Sequence, residues 1–370
     1  MFSNKTNFLK NQFIHIILYP FAVFYGLAVG IRNWLYDRGI FHSTAFSIPI
    51  IGVGNLSVGG TGKTPHTEFI LSYVQDEWKT AFLSRGYKRK TKGFFLADEK
   101  STYQTIGDEP YQIYRKFPKV IVAVDEKRVD GVMKLQKQFP DLQLVVMDDA
   151  FQHRQIKIGL TILLTDYFHL YTRDRLLPAG TLREQKSGSK RADIVIVTKC
   201  PPDLKPIDMR LVEKELNLTG RQQLFFSTYE YEEIVPVFPE KEEKKYSLQQ
   251  INEKNGSLLI VTGIASPEKM IEYLRQFSNL IESLIFPDHH DFSKKDIEKM
   301  EQKFAQLPAN EKIVIVTEKD AVRLLNNAFL SEFLKSKIYY LPIKVKILNH
   351  QEDSFIQKIK NYVRKNSKSN

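Results

Sequence analysis

Short apolar runs alternate with amphipathic stretches along most of this chain. Phe46–Val53, Lys79–Leu83, Lys119–Val124, Leu142–Met147, Leu160–Thr165 and Asp193–Thr198 read as strands, and Pro65–Glu77, Glu109–Phe117 and Glu126–Phe139 read as the helices between them. Leu144-Val145-Val146-Met147 and Ile194-Val195-Ile196-Val197 carry no polar alternation, which predicts strands covered on both faces. Strand and helix in alternation then predict right-handed crossovers and a mainly parallel α/β sheet flanked by helices.

From about Phe225 the pattern changes. Tyr229–Tyr246 is charged and contains proline, with the run Glu240-Lys241-Glu242-Glu243-Lys244-Lys245, and reads as a solvated loop or hairpin. A second series follows, with strands Leu258–Thr262, Lys312–Thr317 and Lys335–Leu341 and a helix that opens at Ser266-Pro267, serine capping and proline taking the first turn. The chain thus divides into an N-terminal helical segment (1–40), a first α/β core (41–225), a linker (226–250), a smaller second α/β lobe (251–350) and a C-terminal helix with a mobile basic tail (351–370). No internal repeat is evident.

The N-terminal segment is a separate problem. Phe13–Ile31 is almost wholly apolar and aromatic, interrupted by His15 and Pro20 and flanked by Lys10 and Arg32. Its length is near the minimum for a span. Pro20, the aromatics Tyr19, Tyr25, Trp34 and Tyr36 and the cationic flanks favour instead a helix lying in the headgroup layer. A cleaved leader ending at Ala28-Val29-Gly30 and a buried hairpin are the other readings of the same residues.

Composition narrows the chemistry. The 54 Lys and Arg against 43 Asp and Glu give a net charge of +11, which favours an anionic partner. No nucleic-acid-binding module accompanies that charge, and no obligate protein partner is evident. The single cysteine, Cys200, excludes an internal disulfide and a cysteine-based metal cluster.

The strand at Phe46–Val53 runs into Gly54-Asn55-Leu56-Ser57-Val58-Gly59-Gly60-Thr61-Gly62-Lys63-Thr64, and a helix follows. Strand, glycine-rich loop, Lys-Thr and helix form the setting in which backbone N–H groups and a helix N-terminus wrap a polyphosphate. Gly59, Gly60, Thr61, Gly62, Lys63 and Thr64 are the candidate nucleotide ligands, with Lys63 reaching the β- and γ-phosphates and Thr64 ligating Mg²⁺. Ser57 stands where the strict pattern has glycine. Thr198-Lys199-Cys200-Pro201 begins like a guanine-specificity loop but has proline in place of its aspartate, which favours ATP. Such a loop needs a carboxylate at the tip of a neighbouring strand to hold the metal's hydration shell, and Asp148 and Asp149 end the run Leu142–Met147.

Several separated motifs resemble those of one family, the tetraacyldisaccharide 4′-kinases, over nearly the whole chain. They are the loop Gly54–Thr64, Ser84-Arg85-Gly86-Tyr87, Gly107-Asp108-Glu109-Pro110, Asp148-Asp149-Ala150-Phe151-Gln152-His153, Leu177-Pro178-Ala179-Gly180-Thr181-Leu182-Arg183-Glu184, Phe286-Pro287-Asp288-His289-His290 and Val316-Thr317-Glu318-Lys319-Asp320. Ala150 stands where the family has glycine, and Thr181 and Gln185 replace prolines. The resemblance implies a P-loop kinase core with an N-terminal membrane-associated helix, docked on the cytoplasmic face of the bacterial inner membrane. It also implies transfer of the γ-phosphoryl group of ATP to the 4′-hydroxyl of a tetraacylated glucosamine disaccharide 1-phosphate.

Phosphoryl transfer to a sugar hydroxyl needs a base that accepts a proton late, and a carboxylate suffices. Asp108 is the candidate, held by an imidazole from His289, with His290 the alternative; that pairing requires the two lobes to meet over the nucleotide. Two adjacent histidines beside Asp288 and Asp291 also invite a metal-site reading, which their spacing disfavours. The resemblance further implies that Arg85, Arg183 and His153 contact phosphate or sugar hydroxyls, that Glu184 orients Arg183 or binds a hydroxyl, and that Tyr87 stacks on adenine or sugar. The reading from a different class is a P-loop switch or chaperone ATPase, of the partition-ATPase or metallochaperone kind, acting on a protein partner. Those proteins carry an additional lysine where this chain has Val58.

Overall fold

The structure, a computed structural model, describes residues 2–241, 246–264 and 267–367, with side chains from residue 18 onward. Strands are numbered in chain order: β1 Ile50–Asn55, β2 Thr80–Ser84, β3 Phe95–Leu96, β4 Ile121–Val124, β5 Leu144–Met147, β6 Leu160–Asp166, β7 Ile194–Thr198, β8 Gln223–Tyr231, β9 Val235–Pro236, β10 Ser257–Thr262, β11 Leu280–Ile285, β12 Lys312–Thr317, β13 Ile338–Leu341 and β14 Ile343–Ile347. Nine of them form one sheet in the order β14-β8-β7-β6-β1-β5-β2-β4-β3, and five form a second in the order β11-β10-β12-β13-β9.

Both sheets are parallel apart from short edges. In the first, β3 and β14 run antiparallel to their neighbours, and in the second β9 does. The apolar runs are buried as their lack of alternation predicts: every residue of β1, β5 and β7 is buried. Crossover helices cover both faces, so polar groups can gather only where the strands end. β1 lies between β5 and β6, which sets the loop after Asn55 beside the aspartates that follow Met147.

Two stretches differ from the sequence expectation. Residues from Phe225, expected to open a linker, continue as β8 and pair in parallel with β7. Leu341 does not end the last strand: β14 follows it and returns to the first sheet, antiparallel to β8. The helix Glu352–Asn366 then packs on the first lobe, with Phe355 against Phe69 and Phe225 and the Tyr362 hydroxyl bonded to Ile50 of β1 at 3.1 Å. The serine cap expected at Ser266, residues 242–245 of the charged run and the end of the basic tail lie outside the described residues.

The N-terminal helix is continuous from Phe2 to Asp37 with Pro20 inside it. Among the described residues no helix is long and apolar enough to cross a membrane. Residues 13–17 of the apolar run have no described side chains.

Candidate active site

The loop after β1 closes on backbone that only glycine takes without strain: φ is 111° at Gly59 and 87° at Gly62. A Cβ on Gly62 would lie 1.8 Å from the Tyr229 hydroxyl. The helix Lys63–Val74 then starts with no side-chain cap, so its first N–H groups face the loop. His66, one turn in, fixes the helix start, with Nδ1 2.8 Å from the Gly62 carbonyl and Nε2 2.9 Å from Ser227 Oγ. The loop is braced from outside as well. Val58 N–H donates to the Thr181 carbonyl at 2.8 Å, and Arg183 N–H to that of Leu56 at 2.7 Å. The segment from Leu177 to Glu184 is thereby laid along the phosphate loop.

Lys63 Nζ lies 3.4 Å from Asn55 Oδ1 and 3.5 Å from Asp149 Oδ1. Arg183 Nη1 donates to both Asp149 oxygens, at 2.8 and 2.9 Å. Burial acts to raise the Asp149 carboxyl, yet the charges of Lys63 and Arg183 hold it below the ordinary carboxylate range. Asp148, one residue away, behaves in the opposite sense. Burial pushes its carboxyl up to about 7, repulsion from Glu109 and Asp149 adds to this, and Arg128 opposes it. Asp148 Oδ1, Asn55 Nδ2 and the Nε and Nη1 of Arg128 are buried without hydrogen-bond partners. Unpaired buried polar atoms at neighbouring strand ends fit a site completed by a bound anion and cation. Among the described residues no group of three or more His, Cys, Asp or Glu gathers for a metal, so a cation here would draw its other ligands from phosphate oxygens and water.

Asp108 opens the helix Asp108–Lys116 and meets the second lobe. His289 Nδ1 is 3.0 Å from Asp108 Oδ2, and Arg323 donates to the same oxygen. Burial alone would raise this carboxyl; the bonds from His289 and Arg323 bring it down to about 2. His289 has φ 63° and turns into the cleft. His290 turns the other way, stacking on Phe286 with centroids 4.5 Å apart and bonding Asp296 at 3.0 Å. The lobes therefore meet at His289 and not at His290.

Tyr87 is 63% exposed and sets its ring edge-on to His289 at 5.5 Å. Arg85 is exposed at the end of β2. His153 is half-buried, and burial together with the charges of Arg128 and Arg85 lowers it to about 4, so it is neutral near neutral pH. Glu184 is not free for a hydroxyl and does not hold Arg183. It is buried, and its oxygens take bonds from Gln152 at 3.0 Å, Asn33 at 2.9 Å and Arg191 at 2.9 Å.

A family model described as tetraacyldisaccharide-1-P 4′-kinase (LpxK) matches residues 14–364. The chain belongs to the tetraacyldisaccharide 4′-kinase family. The tetraacyldisaccharide 4′-kinase of Bacteroides thetaiotaomicron is 49% identical over 363 residues, covering 96% of this chain and 95% of that one. Its counterpart in Flavobacterium johnsoniae is 46% identical over 350 residues, covering 95% and 97%. The crystal structure of LpxK from Aquifex aeolicus in complex with ATP superposes with a TM-score of 0.73 at 27% identity, covering 95% of this chain and 99% of that one.

In this kinase-family chain the structure adds contacts to which the sequence assigned no part in the site. Arg128 is buried beside Asp148, its Nη2 donating to the Asp148 carbonyl at 3.3 Å. Arg323 and Lys319 reach His289 and Asp108 from the second lobe. The N-terminal helix docks on the cleft segment, with the Tyr25 hydroxyl 2.8 Å from the Arg183 carbonyl. Gly26 permits that approach, since a Cβ there would lie 2.6 Å from Leu176. Arg128, Lys319, Arg323 and Gly26 are charged or small residues within helices, which read as surface or packing until their distant partners are known, and Tyr25 reads as an interfacial aromatic.

Proposed function

We propose that the protein transfers the γ-phosphoryl group of ATP to the 4′-hydroxyl of a tetraacylated glucosamine disaccharide 1-phosphate, a step of lipid A biosynthesis. The observation that carries this reading is Asp108 of the first lobe meeting His289 of the second, while its neighbour Glu109 acts on Asp148, beside the Asp149 that pairs with Lys63 of the phosphate loop. The loop amides from Gly59 to Thr64 bind the triphosphate, and Lys63 leaves Asp149 for the β- and γ-phosphates. Thr64, Asp148 and Asp149 would hold Mg²⁺, which when bound neutralises phosphate charge. The sugar oxygen attacks the γ-phosphorus as the bond to the β,γ-bridging oxygen breaks. ADP leaves with that electron pair, and Asp108 takes the hydroxyl proton.

Arg85 and Arg183 supply positive charge for the sugar phosphate and the transferred group. Tyr87, beside His289, offers its exposed ring to the sugar, and neutral His153 bonds a hydroxyl. Glu184 is a positioning group that ties the Arg183 segment to Gln152, Asn33 and Arg191. A switch ATPase acting on a protein partner is not favoured by membership of this kinase family across both lobes.

The acyl chains stay in the bilayer of the inner membrane at its cytoplasmic face, alongside the N-terminal helix. Phe21, Phe24, Leu27, Ile31 and Trp34 are each more than half exposed along that helix, while Ala22 is buried. An outward apolar and aromatic face on a docked helix suits a headgroup layer. The test is a phosphotransfer assay with purified protein, ATP, Mg²⁺ and the 1-phosphorylated lipid disaccharide, with Lys63→Ala as control. A lipid gaining one phosphate per ATP consumed is expected, and the control should form none. ATP hydrolysis without a phosphorylated lipid would overturn the reading.

A further inference from the structure

His289 has a charged neighbour on each side. Its Nδ1 faces Asp108 Oδ2 at 3.0 Å, and its Nε2 faces Lys319 Nζ at 3.0 Å. Arg323 Nη2 also approaches Nδ1 at 3.1 Å, Asp288 lies 3.8 Å from Nε2, and the Tyr87 ring stands edge-on. A neutral imidazole has one N–H and one lone pair, and its neighbours decide which nitrogen carries which. An ammonium has three donors and no acceptor, so Nε2 must offer Lys319 its lone pair. The ring proton is then on Nδ1 and donates to Asp108. Arg323, facing an N–H, has no bond to make with the ring and gives its hydrogen to Asp108 Oδ2. One proton assignment satisfies all four groups.

We propose that Lys319 is a positioning residue for the transfer, fixing His289 in the Nδ1–H form that orients the Asp108 carboxylate; this rests on the kinase reading above. The consequence is a division of labour within one carboxylate. Oδ2 takes the bonds from His289 and Arg323, and among the described residues Oδ1 takes none. Oδ1 is left to receive the sugar hydroxyl proton, which leaves to solvent after the product departs. Lys319 itself is held by Asp288 at 3.1 Å, and it shares the helix Glu318–Leu324 with Arg323. Residues four apart lie on one face of a helix, so that short element delivers both cations to the dyad.

The test combines ring-nitrogen NMR of the full chain, isotope-labelled at histidine and assigned by loss of one signal in His289→Gln, with steady-state kinetics. Wild-type His289 is expected to be protonated at Nδ1. In Lys319→Met the signal should move toward the Nε2–H form and kcat should fall roughly 10- to 100-fold, as for a misaimed catalytic group, while KM for ATP stays within about twofold. Lys319→Arg, which keeps a donor, should restore the Nδ1–H form and most of kcat. An Nε2–H form in the wild type overturns the proposal even if Lys319→Met does not fold, and so does unchanged kcat in Lys319→Met. A wild-type protein that phosphorylates no lipid would instead remove the kinase reading, and the NMR result would stand apart from it.

Discussion

Lys116 of the first lobe holds Glu318 of the second at 2.8 Å and Glu68 of the phosphate-loop helix at the same distance. Glu68 is buried and also takes a bond from Gln112 at 2.7 Å. One ammonium thus ties together the helix that carries the loop, the helix that begins with Asp108 and the helix that carries Lys319 and Arg323. Removing it leaves two carboxylates facing each other with little water to reach them. Lys116→Met should therefore cost about 2 kcal/mol of stability, below the usual figure for a broken buried pair because the lysine is partly exposed. Adding Glu68→Gln should recover part of that loss. Denaturant melts of the two single variants and the double variant check it, and simple additivity would mean the groups do not interact.

Asp108→Asn separates chemistry from binding. An amide accepts the bonds of His289 and Arg323 poorly and cannot take a proton, so kcat should drop by roughly 10² to 10⁴-fold. KM for ATP should change little, because the nucleotide is held by the loop after β1 and not by Asp108. The substitution also removes the nearer of the two carboxylates paired with the buried Arg323 guanidinium, leaving Asp320 at 3.6 Å, so kinetics belong at a temperature where a melt shows the variant folded. An effect confined to KM would make Asp108 a binding residue.

His66 gives the fold a dependence on pH. Burial lowers it from 6.5 to about 4, with its bond to the Gly62 carbonyl opposing the shift. Between those values the unfolded chain binds a proton at this site and the folded one does not. Stability from His66 is therefore present above about pH 6.5 and lost as pH falls through 4, by at most about 3 kcal/mol. His153, lowered in the same way, adds to the slope. His66→Gln should flatten the curve of unfolding free energy against pH in this window by one histidine's share. A slope identical to the wild type's would show that His66 is protonated in the folded protein.

What could be read from the sequence follows from which residues have local partners. β5 and β7 announce themselves because a strand covered on both faces has no polar position, and the phosphate loop because its glycines answer a backbone demand made within a few residues. β8 and β14 were hidden for the converse reason. β14 alternates Ile343, Lys344, Val345, Lys346 and Ile347 with its lysines outward, as an edge strand does, and five such residues just past Pro342, beyond the strand that ends at Leu341, look like surface. β8 mixes Phe225 and Phe226 with Glu230 and is given its place only by β7 and β14. Asp108 and His289 were legible as motifs, but the choice of His289 over His290 depends on a left-handed backbone that no local pattern forces. Arg323 and Lys319 act on residues that only the meeting of the lobes brings near.

The outward face of the N-terminal helix can be tested without harming the cleft. Deleting the helix would remove the Tyr25 bond to the Arg183 carbonyl and the Asn33 bond to Glu184, so lost activity could not be assigned to lost membrane contact. Phe21, Phe24 and Ile31 are 63%, 72% and 59% exposed. Replacing all three by serine leaves the inward face intact and removes the three most exposed of the five apolar side chains on the outward face. At about 1 kcal/mol for each half-inserted side chain, partitioning onto vesicles of anionic and zwitterionic lipid should weaken by on the order of 100-fold. ATP binding should be unchanged, while transfer to substrate held in vesicles should fall and transfer to detergent-dispersed substrate should persist. Equal recovery of the triple variant and wild type in the vesicle fraction would place the membrane contact elsewhere on the molecule.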